Sequence, residues 1–448
     1  MPDRFDAIVL GAGPGGEVAL DRLRLGGLRV AVVERELIGG ECAYWACVPS
    51  KTLLRPPEVR DEAARAAGVG TPDLDLADTL AYRDFMVRNL DDARQVAGYE
   101  EGGVTVVKAE GRLAGPGRVE AGGEVLEADH VIVATGSDAV IPPIQGLADI
   151  DVWTNREVTG LKEIPGRAVV IGGGPVGLES AQFLARFGCA VTVVEGSRTV
   201  LARETAEVGE RLGELLGDEG ITLRTGVHVS AVRRDGGATA VEIDDDTSVT
   251  ADVVIVATGR RPRVHDIGLE TVGIEPARGG LEVDDRCRVA EGLWAVGDVT
   301  GVALFTHVAK YQGRVVADNI LGKPRTATYG GVPRVVFTDP EVAAVGLSAE
   351  AAREQGMDVA TVTLNIPETI ARPWTYERDP RGWLGIVADR RRRVLVGAWA
   401  VAPLAGEWIH TAALAVRAEV PIDVLLDGIA QFPTYSESYL YALERLEL

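Results

Sequence analysis

The stretch GGECAYWACVPSK, residues 39–51, sets Cys42 and Cys47 four residues apart, behind a Gly-Gly turn and ahead of Pro-Ser-Lys. The chain has four cysteines. Such a pair can be a structural disulfide, a metal clip or a redox couple. A metal site needs about four ligands, yet Cys189 and Cys287 lie alone, far along the chain. The histidines His130, His228, His265, His307 and His410 form no ligand cluster. Glu407 and His410 of EWIH would share one helical face, half of a carboxylate di-iron motif, but no second copy exists and an ordinary helix is the reading. The opening MPDRFDAIVLGAGPGG enters a strand at once, with no charged leader. The cytoplasm is therefore the expected location, and there a close cysteine pair is more often catalytic or metal-binding than structural. A redox pair remains.

A redox pair needs elements to position it. At 448 residues the chain is too long for one core, so two or three domains are expected. The net charge of −21 argues against nucleic-acid and anionic-membrane partners, which both need basic surface. No apolar run is long enough to span a bilayer.

Residues 5–16 read FDAIVLGAGPGG, a buried strand followed by Gly11, Gly13 and Gly16 in G-x-G-x-x-G spacing. The first glycine allows the turn, the second lets backbone approach a pyrophosphate, and the third packs helix on strand. The pyrophosphate then sits at a positive helix N-terminus. The next strand, RVAVVE, ends in Glu34, 23 positions after Gly11, where an acid grips a ribose diol. One such motif can be only a turn, but this one recurs. RAVVIGGGPVGLES repeats it with Gly172, Gly174 and Gly177, and AVTVVE ends in Glu195, 21 positions past Gly174. Two dinucleotide sites follow. The apolar strands VIVATGSDA and VVIVATGRRPR each end in Ala-Thr-Gly, bringing Thr135, Gly136 and Gly259 to strand ends. GLWAVGDVTG ends a third strand in Gly297-Asp298, an acid placed to accept hydrogen bonds from a polyol.

Taken together, the chain resembles the class I pyridine nucleotide-disulfide oxidoreductases: dihydrolipoamide dehydrogenase, glutathione reductase, mercuric reductase and their relatives. The resemblance covers essentially the whole chain. Its most specific signal is C-x4-C-x-P-S-K after a flavin fingerprint, followed by VPRVVFTDPEVAAVGLS. It implies an α/β fold with two Rossmann-like dinucleotide-binding domains and a C-terminal α+β dimerisation domain. FAD would be held by 1–150 with 265–325, NAD(P)H by 151–264, and the dimer interface by 326–448. It also implies a cytoplasmic homodimer, each active site completed by the partner. NAD(P)H would reduce the flavin and the flavin a disulfide. Cys47 would be the flavin-side sulfur, opening a helix whose N-terminus favours thiolate, and Cys42 the exchange sulfur. Lys51 would pair with Glu179 near the flavin, since a lone buried charge costs several kcal/mol. LFTHVAKYQG matches the helix facing the flavin pyrimidine, which puts Thr306 at the cofactor and makes His307 part of the helix start rather than a base.

The chain also departs from the family. Disulfide reductases carry H-P-x-x-x-E near the C-terminus, the histidine acting as the base of thiol–disulfide exchange. Here QFPTYSES keeps Pro433 and Glu437 but puts Phe432 at the base position, and no histidine follows His410. A benzyl ring moves no proton; it can exclude water. Mercuric reductases lack that histidine but add a C-terminal cysteine pair, and YALERLEL has none. The ketopropyl-coenzyme M oxidoreductase/carboxylase branch places Phe there but changes the Glu. Tyr44 and Trp45 fill CAYWAC, and packing is their expected role. Pro175 stands where glutathione reductases carry a gating Tyr. Pro56-Pro57 should end or kink the active-site helix early.

The reading is an NAD(P)H-dependent, FAD-containing disulfide oxidoreductase with a Cys42–Cys47 redox pair and an unidentified small-molecule acceptor. Quinones, oxygen, metal ions or a carboxylation substrate are the alternative acceptors, and a flavin redox sensor without turnover is the alternative class. Glu195 repels a 2′-phosphate, so NADH is expected over NADPH, with Arg198 softening the preference.

Overall fold

The computed structural model describes residues 4–448. The chain divides into two compact units. One comprises Met1–Ser50, Ala81–Val140 and Gly259–Thr328. Its eight-stranded sheet is built around Arg4–Leu10, an apolar run buried in the way parallel strands are. That strand pairs in parallel with Val30–Val33 and with Glu124–Val133, Ala7 standing opposite both Val30 and His130. Thr105–Val107 extends the sheet beyond Val30–Val33, and Leu293–Ala295 extends it beyond Glu124–Val133. Pro14, at the first turn of the helix Pro14–Leu25, suits a position whose N–H has no helical partner. This helix crosses from the first strand to the second and packs on the helix Thr306–Ile320.

The other unit comprises Lys51–Leu80, Ile141–Thr258 and Tyr329–Leu448. A five-stranded parallel sheet runs in the order Thr222–Thr225, Ala190–Glu195, Arg167–Ile171, Val253–Val256, Val152–Trp153. The helix Pro175–Arg186 repeats the arrangement of Pro14–Leu25, with proline again at its start. A second sheet, antiparallel and also five-stranded, is centred on Val394–Ala402 and carries the C-terminal helices. One apolar core joins Leu53 and Leu54 to Phe183 and Leu184 and to Val336 and Trp399. The fold is α/β, with two Rossmann-like sheets and a C-terminal α+β region.

Two local expectations are corrected. Pro56-Pro57 does not end the helix that Cys47 opens: it runs Cys47–Arg65 with both prolines inside. An internal proline costs about 3 kcal/mol, but this helix is held on both sides of the two prolines. Leu53 and Leu54 are buried before them. After them, Arg65 donates to Glu377 at 2.5 Å and to Asp339 at 3.1 Å. Likewise, Glu407 and His410 do not share one helix: Ala405–Trp408 and His410–Arg417 are separate, parted at Ile409. No helix among the described residues is long and apolar enough to cross a membrane.

Candidate active site

In the first unit the fingerprint loop is shaped by close backbone approach. A Cβ on Gly11 would lie 2.4 Å from the Ala134 carbonyl oxygen, and one on Gly16 2.1 Å from that of Gly11. A Cβ on Gly13 would meet nothing within 4 Å. The loop is therefore tight where it must turn and bare where a pyrophosphate would approach the helix start. Glu34, 8% exposed, accepts from the Ala12 amide at 2.7 Å and from the Glu36 amide at 2.8 Å. Each carboxylate oxygen has a second lone pair left for a ribose hydroxyl.

The first Ala-Thr-Gly and the Gly-Asp strand end converge in the same unit; of the second Ala-Thr-Gly only Gly259 lies in it. The Thr135 hydroxyl donates to the Arg263 carbonyl at 2.8 Å. Gly136 and Gly259 both have positive φ, and a Cβ on either would meet nothing within 4 Å. Asp298 accepts from the Ser137 hydroxyl at 2.6 Å, and Arg260 donates to that hydroxyl at 2.8 Å. Burial pushes the Asp298 carboxyl above the ordinary carboxylate range. Ser137, Arg260 and Gln312, whose side chain accepts from the Gly297 amide at 2.7 Å, were not singled out from sequence. The signal for the first two was there, in the polar residues directly after each Ala-Thr-Gly. Together the bare Gly13, the anchored Glu34 and the half-buried Asp298 fit a dinucleotide with a polyol arm, as FAD has.

The cysteine loop packs onto this turn. A Cβ on Gly40, where φ is +59°, would lie 2.8 Å from the Gly13 Cα. Cys42 follows in the short helix Gly40–Tyr44, and Cys47 opens Cys47–Arg65. No disulfide joins them. The Thr306 hydroxyl lies 3.3 Å from Cys42 Sγ and 3.3 Å from Cys47 Sγ. The hydrogen bond with Cys47, then burial, then the charge on Cys47 hold the Cys42 thiol well above its ordinary range. His307 is the second residue of the helix that Thr306 opens, and its ring stacks on Phe305 at 5.2 Å. Tyr44 is buried and donates to the Ile38 carbonyl at 3.1 Å, a packing role.

In the second unit the other fingerprint has the same build. A Cβ on Gly172 would lie 2.5 Å from the Ala257 oxygen and one on Gly177 2.1 Å from the Gly172 oxygen, while Gly174 is bare. Glu195 accepts from the Gly173 and Ser197 amides, each at 2.7 Å. Lys51 donates to Glu179 at 2.7 Å. The other Glu179 oxygen accepts from the Phe337 amide at 3.0 Å, and the Lys51 ammonium sits 4.6 Å from the Phe337 ring centroid. Phe337 thus holds both partners of the pair, through a backbone hydrogen bond and a cation–π contact. Phe432 is 72% exposed, whereas one Glu437 oxygen is buried with no hydrogen-bond partner among the described residues. The structure gathers Cys42, Cys47 and Thr306 into one group and Lys51, Glu179 and Phe337 into another; Phe432 stands on the C-terminal segment. No cluster of three or more metal-ligating side chains occurs among the described residues.

Comparison with known proteins adds the following. The family described as pyridine nucleotide-disulphide oxidoreductase matches residues 5–313, and its dimerisation domain matches residues 332–443. A mercuric reductase of Streptomyces lividans is 35% identical, over 98% of this chain and 96% of that protein. A dihydrolipoyl dehydrogenase of Thermus scotoductus is 35% identical, over 99% of this chain and 97% of that protein. Among solved structures, the HOCl-induced flavoprotein disulfide reductase RclA of Escherichia coli superposes with a TM-score of 0.88 at 27% identity, covering 98% of this chain and 99% of that one.

Proposed function

This chain belongs to the pyridine nucleotide-disulphide oxidoreductase family, and on that premise we propose that it carries electrons from NAD(P)H to the Cys42–Cys47 pair and on to a small-molecule acceptor. Bound FAD supplies the two-electron step between nicotinamide and sulfur. The observation that carries the reading is the placing of both sulfurs at 3.3 Å from one hydroxyl, on a loop packed against the first fingerprint. Gly11, Gly13, Gly16, Glu34, Asp298 and the Thr306 helix hold the resident dinucleotide. Gly172, Gly174, Gly177 and Glu195 hold the exchanging one, and the carboxylate of Glu195 favours NADH over NADPH. The Lys51–Glu179 pair keeps a cation one helical turn beyond Cys47. The division into 1–150 with 265–325, 151–264 and 326–448 belongs to the same proposal. Three separate major sheets support it. The match to the dimerisation domain supports a homodimer, and a cytoplasmic location belongs to the same proposal.

A second reading concerns the acceptor. Phe432 offers no base for dithiol–disulfide exchange, so the acceptor is one that needs none at that position, such as a quinone or a metal ion. Anaerobic titration with NADH tests the core of the proposal. The protein is expected to take up two electron pairs and to show a long-wavelength thiolate band. A Cys47→Ser protein that keeps the band unchanged removes Cys47 from the role.

A further inference from the structure

We propose that Thr306 is a catalytic residue, its hydroxyl passing a proton from the Cys42 thiol to the Cys47 thiolate and so making the exchange sulfur nucleophilic without a histidine. The inference rests on the redox-pair reading above. A threonine hydroxyl has one hydrogen to give and lone pairs to accept with, and a thiol can do both weakly. The Thr306 oxygen stands 3.3 Å from each sulfur, within hydrogen-bonding reach of both. As it stands the hydroxyl donates to Cys42, and between it and Cys47 either partner can donate; a turn of the hydroxyl about its C–O bond lets it accept from Cys42 while donating to Cys47.

The step balances within the chain. The Cys42 S–H bond breaks and its proton goes to the Thr306 oxygen. The Thr306 O–H bond breaks and its proton goes to the Cys47 sulfur. Cys42 ends as thiolate, Cys47 as thiol and Thr306 unchanged; no electron moves and no outside acid or base takes part. The two transfers are coupled. The Cys42 thiol is held protonated chiefly by its hydrogen bond with Cys47, then by burial and the Cys47 charge, while its hydrogen bond with Thr306 favours the thiolate. A proton arriving on Cys47 removes that charge as Cys42 ionises. The cation that eases the new Cys42 thiolate is Lys310, one turn beyond Thr306 on the same helix. The relay also accounts for a site that keeps both sulfurs while Phe432 occupies the base position: the proton has a route inside the unit.

The test reads Cys42 directly. The protein is fully reduced with dithionite under argon, so that any change in hydride transfer drops out. Alkylation of Cys42 by iodoacetamide is then timed by peptide mass spectrometry, in water and in deuterium oxide. Thr306→Val and Thr306→Ala each remove the hydroxyl, and Thr306→Ser keeps it. Both removals are expected to slow Cys42 alkylation roughly tenfold or more, the scale of a lost proton-transfer group, and to abolish the solvent isotope effect. The Ser protein should stay within about threefold of the parent and keep the isotope effect. Parent-like alkylation in either hydroxyl-free protein overturns the relay alone. A parent that takes up only one electron pair overturns the redox-pair reading, and the relay with it.

Discussion

The two dinucleotide loops are near copies in backbone and differ in what surrounds them. In each, the first and third glycines lie where a Cβ would be within 2.5 Å of a carbonyl oxygen, and the middle one is bare. In each, a strand-end glutamate takes two backbone amides at 2.7–2.8 Å. The first loop, however, is closed in. Gly40 of the cysteine loop abuts Gly13, Glu34 is buried, and Ser137 and Arg260 fix Asp298. Glu195 of the second loop is only half-buried. On the function proposed above, the same backbone grip would serve a resident group in one unit and a visiting one in the other, with burial as the difference.

The largest effect separates the two loops outright. Gly13 and Gly174 both have extended backbone angles that valine accepts, with open space beside them. Gly13→Val should fold and be isolated without flavin. Gly174→Val should keep full flavin content while its KM for NADH rises roughly tenfold or more. Flavin absorbance per polypeptide and steady-state kinetics check both, and loss of flavin from both proteins would erase the contrast.

The next effect concerns the segment that neither loop contains. A missing general base is typically worth ~10²–10⁴-fold. The parent should turn over lipoamide and glutathione disulfide poorly, although NADH reduces it fast in a single turnover. Phe432→His should raise disulfide turnover at least tenfold, a part of that range. Ordinary reductase rates in the parent, or no gain in the variant, would show that the ring is not what limits exchange.

Smaller again is the cofactor preference proposed for the second loop. Glu195→Ser removes the charge that repels a 2′-phosphate, so the ratio of kcat/KM for NADH to that for NADPH should fall about tenfold, the scale of a lost charge repulsion. A parent that already prefers NADPH would reverse the role of Glu195.

The last effect is on stability and compares the units through two half-buried acids. Burial pushes Glu17 in the first unit and Glu341 in the second up to about 7. Both carboxyls fold more readily protonated. The stability they contribute is complete below the unfolded value of 4.5, falls as the pH rises to about 7, and is level above it. Glu17→Gln and Glu341→Gln should each stabilise the protein at pH 8 by on the order of 1–3 kcal/mol and change little at pH 4. Thermal melts at the two pH values check this, and equal shifts at both would remove the buried charge as the cause.

What was legible in the sequence is what a short backbone segment dictates. The fingerprints, the strand-end acids and the cysteine pair all belong to compact motifs with fixed spacing, whereas the Lys51–Glu179 partnership, across 128 positions, came from the family resemblance alone. The groups that complete them were not legible, because they meet across long stretches of chain. Ser137 reaches Asp298 across 161 positions and Phe337 reaches Glu179 across 158. The Thr306 hydroxyl meets Cys47 across 259 positions, and nothing in LFTHVAKYQG says that one oxygen serves both sulfurs. Pro56-Pro57 was misread for the opposite reason. A strong local rule lost to anchoring at both ends of the helix, by apolar burial on one side and ion pairs on the other.

The contact between Gly40 and Gly13 has a consequence for how such a chain can change. A single methyl at 40 would land 2.8 Å from the Cα of 13, on the very turn that must stay bare. Gly40 therefore cannot be exchanged without disturbing the task of Gly13. The loop that presents the sulfurs and the loop that receives the nucleotide are inherited as one object, though they are read as two words in the sequence. A lineage that lost the first cysteine could keep its flavin, but one that enlarged Gly40 would forfeit cofactor and thiol geometry in the same step.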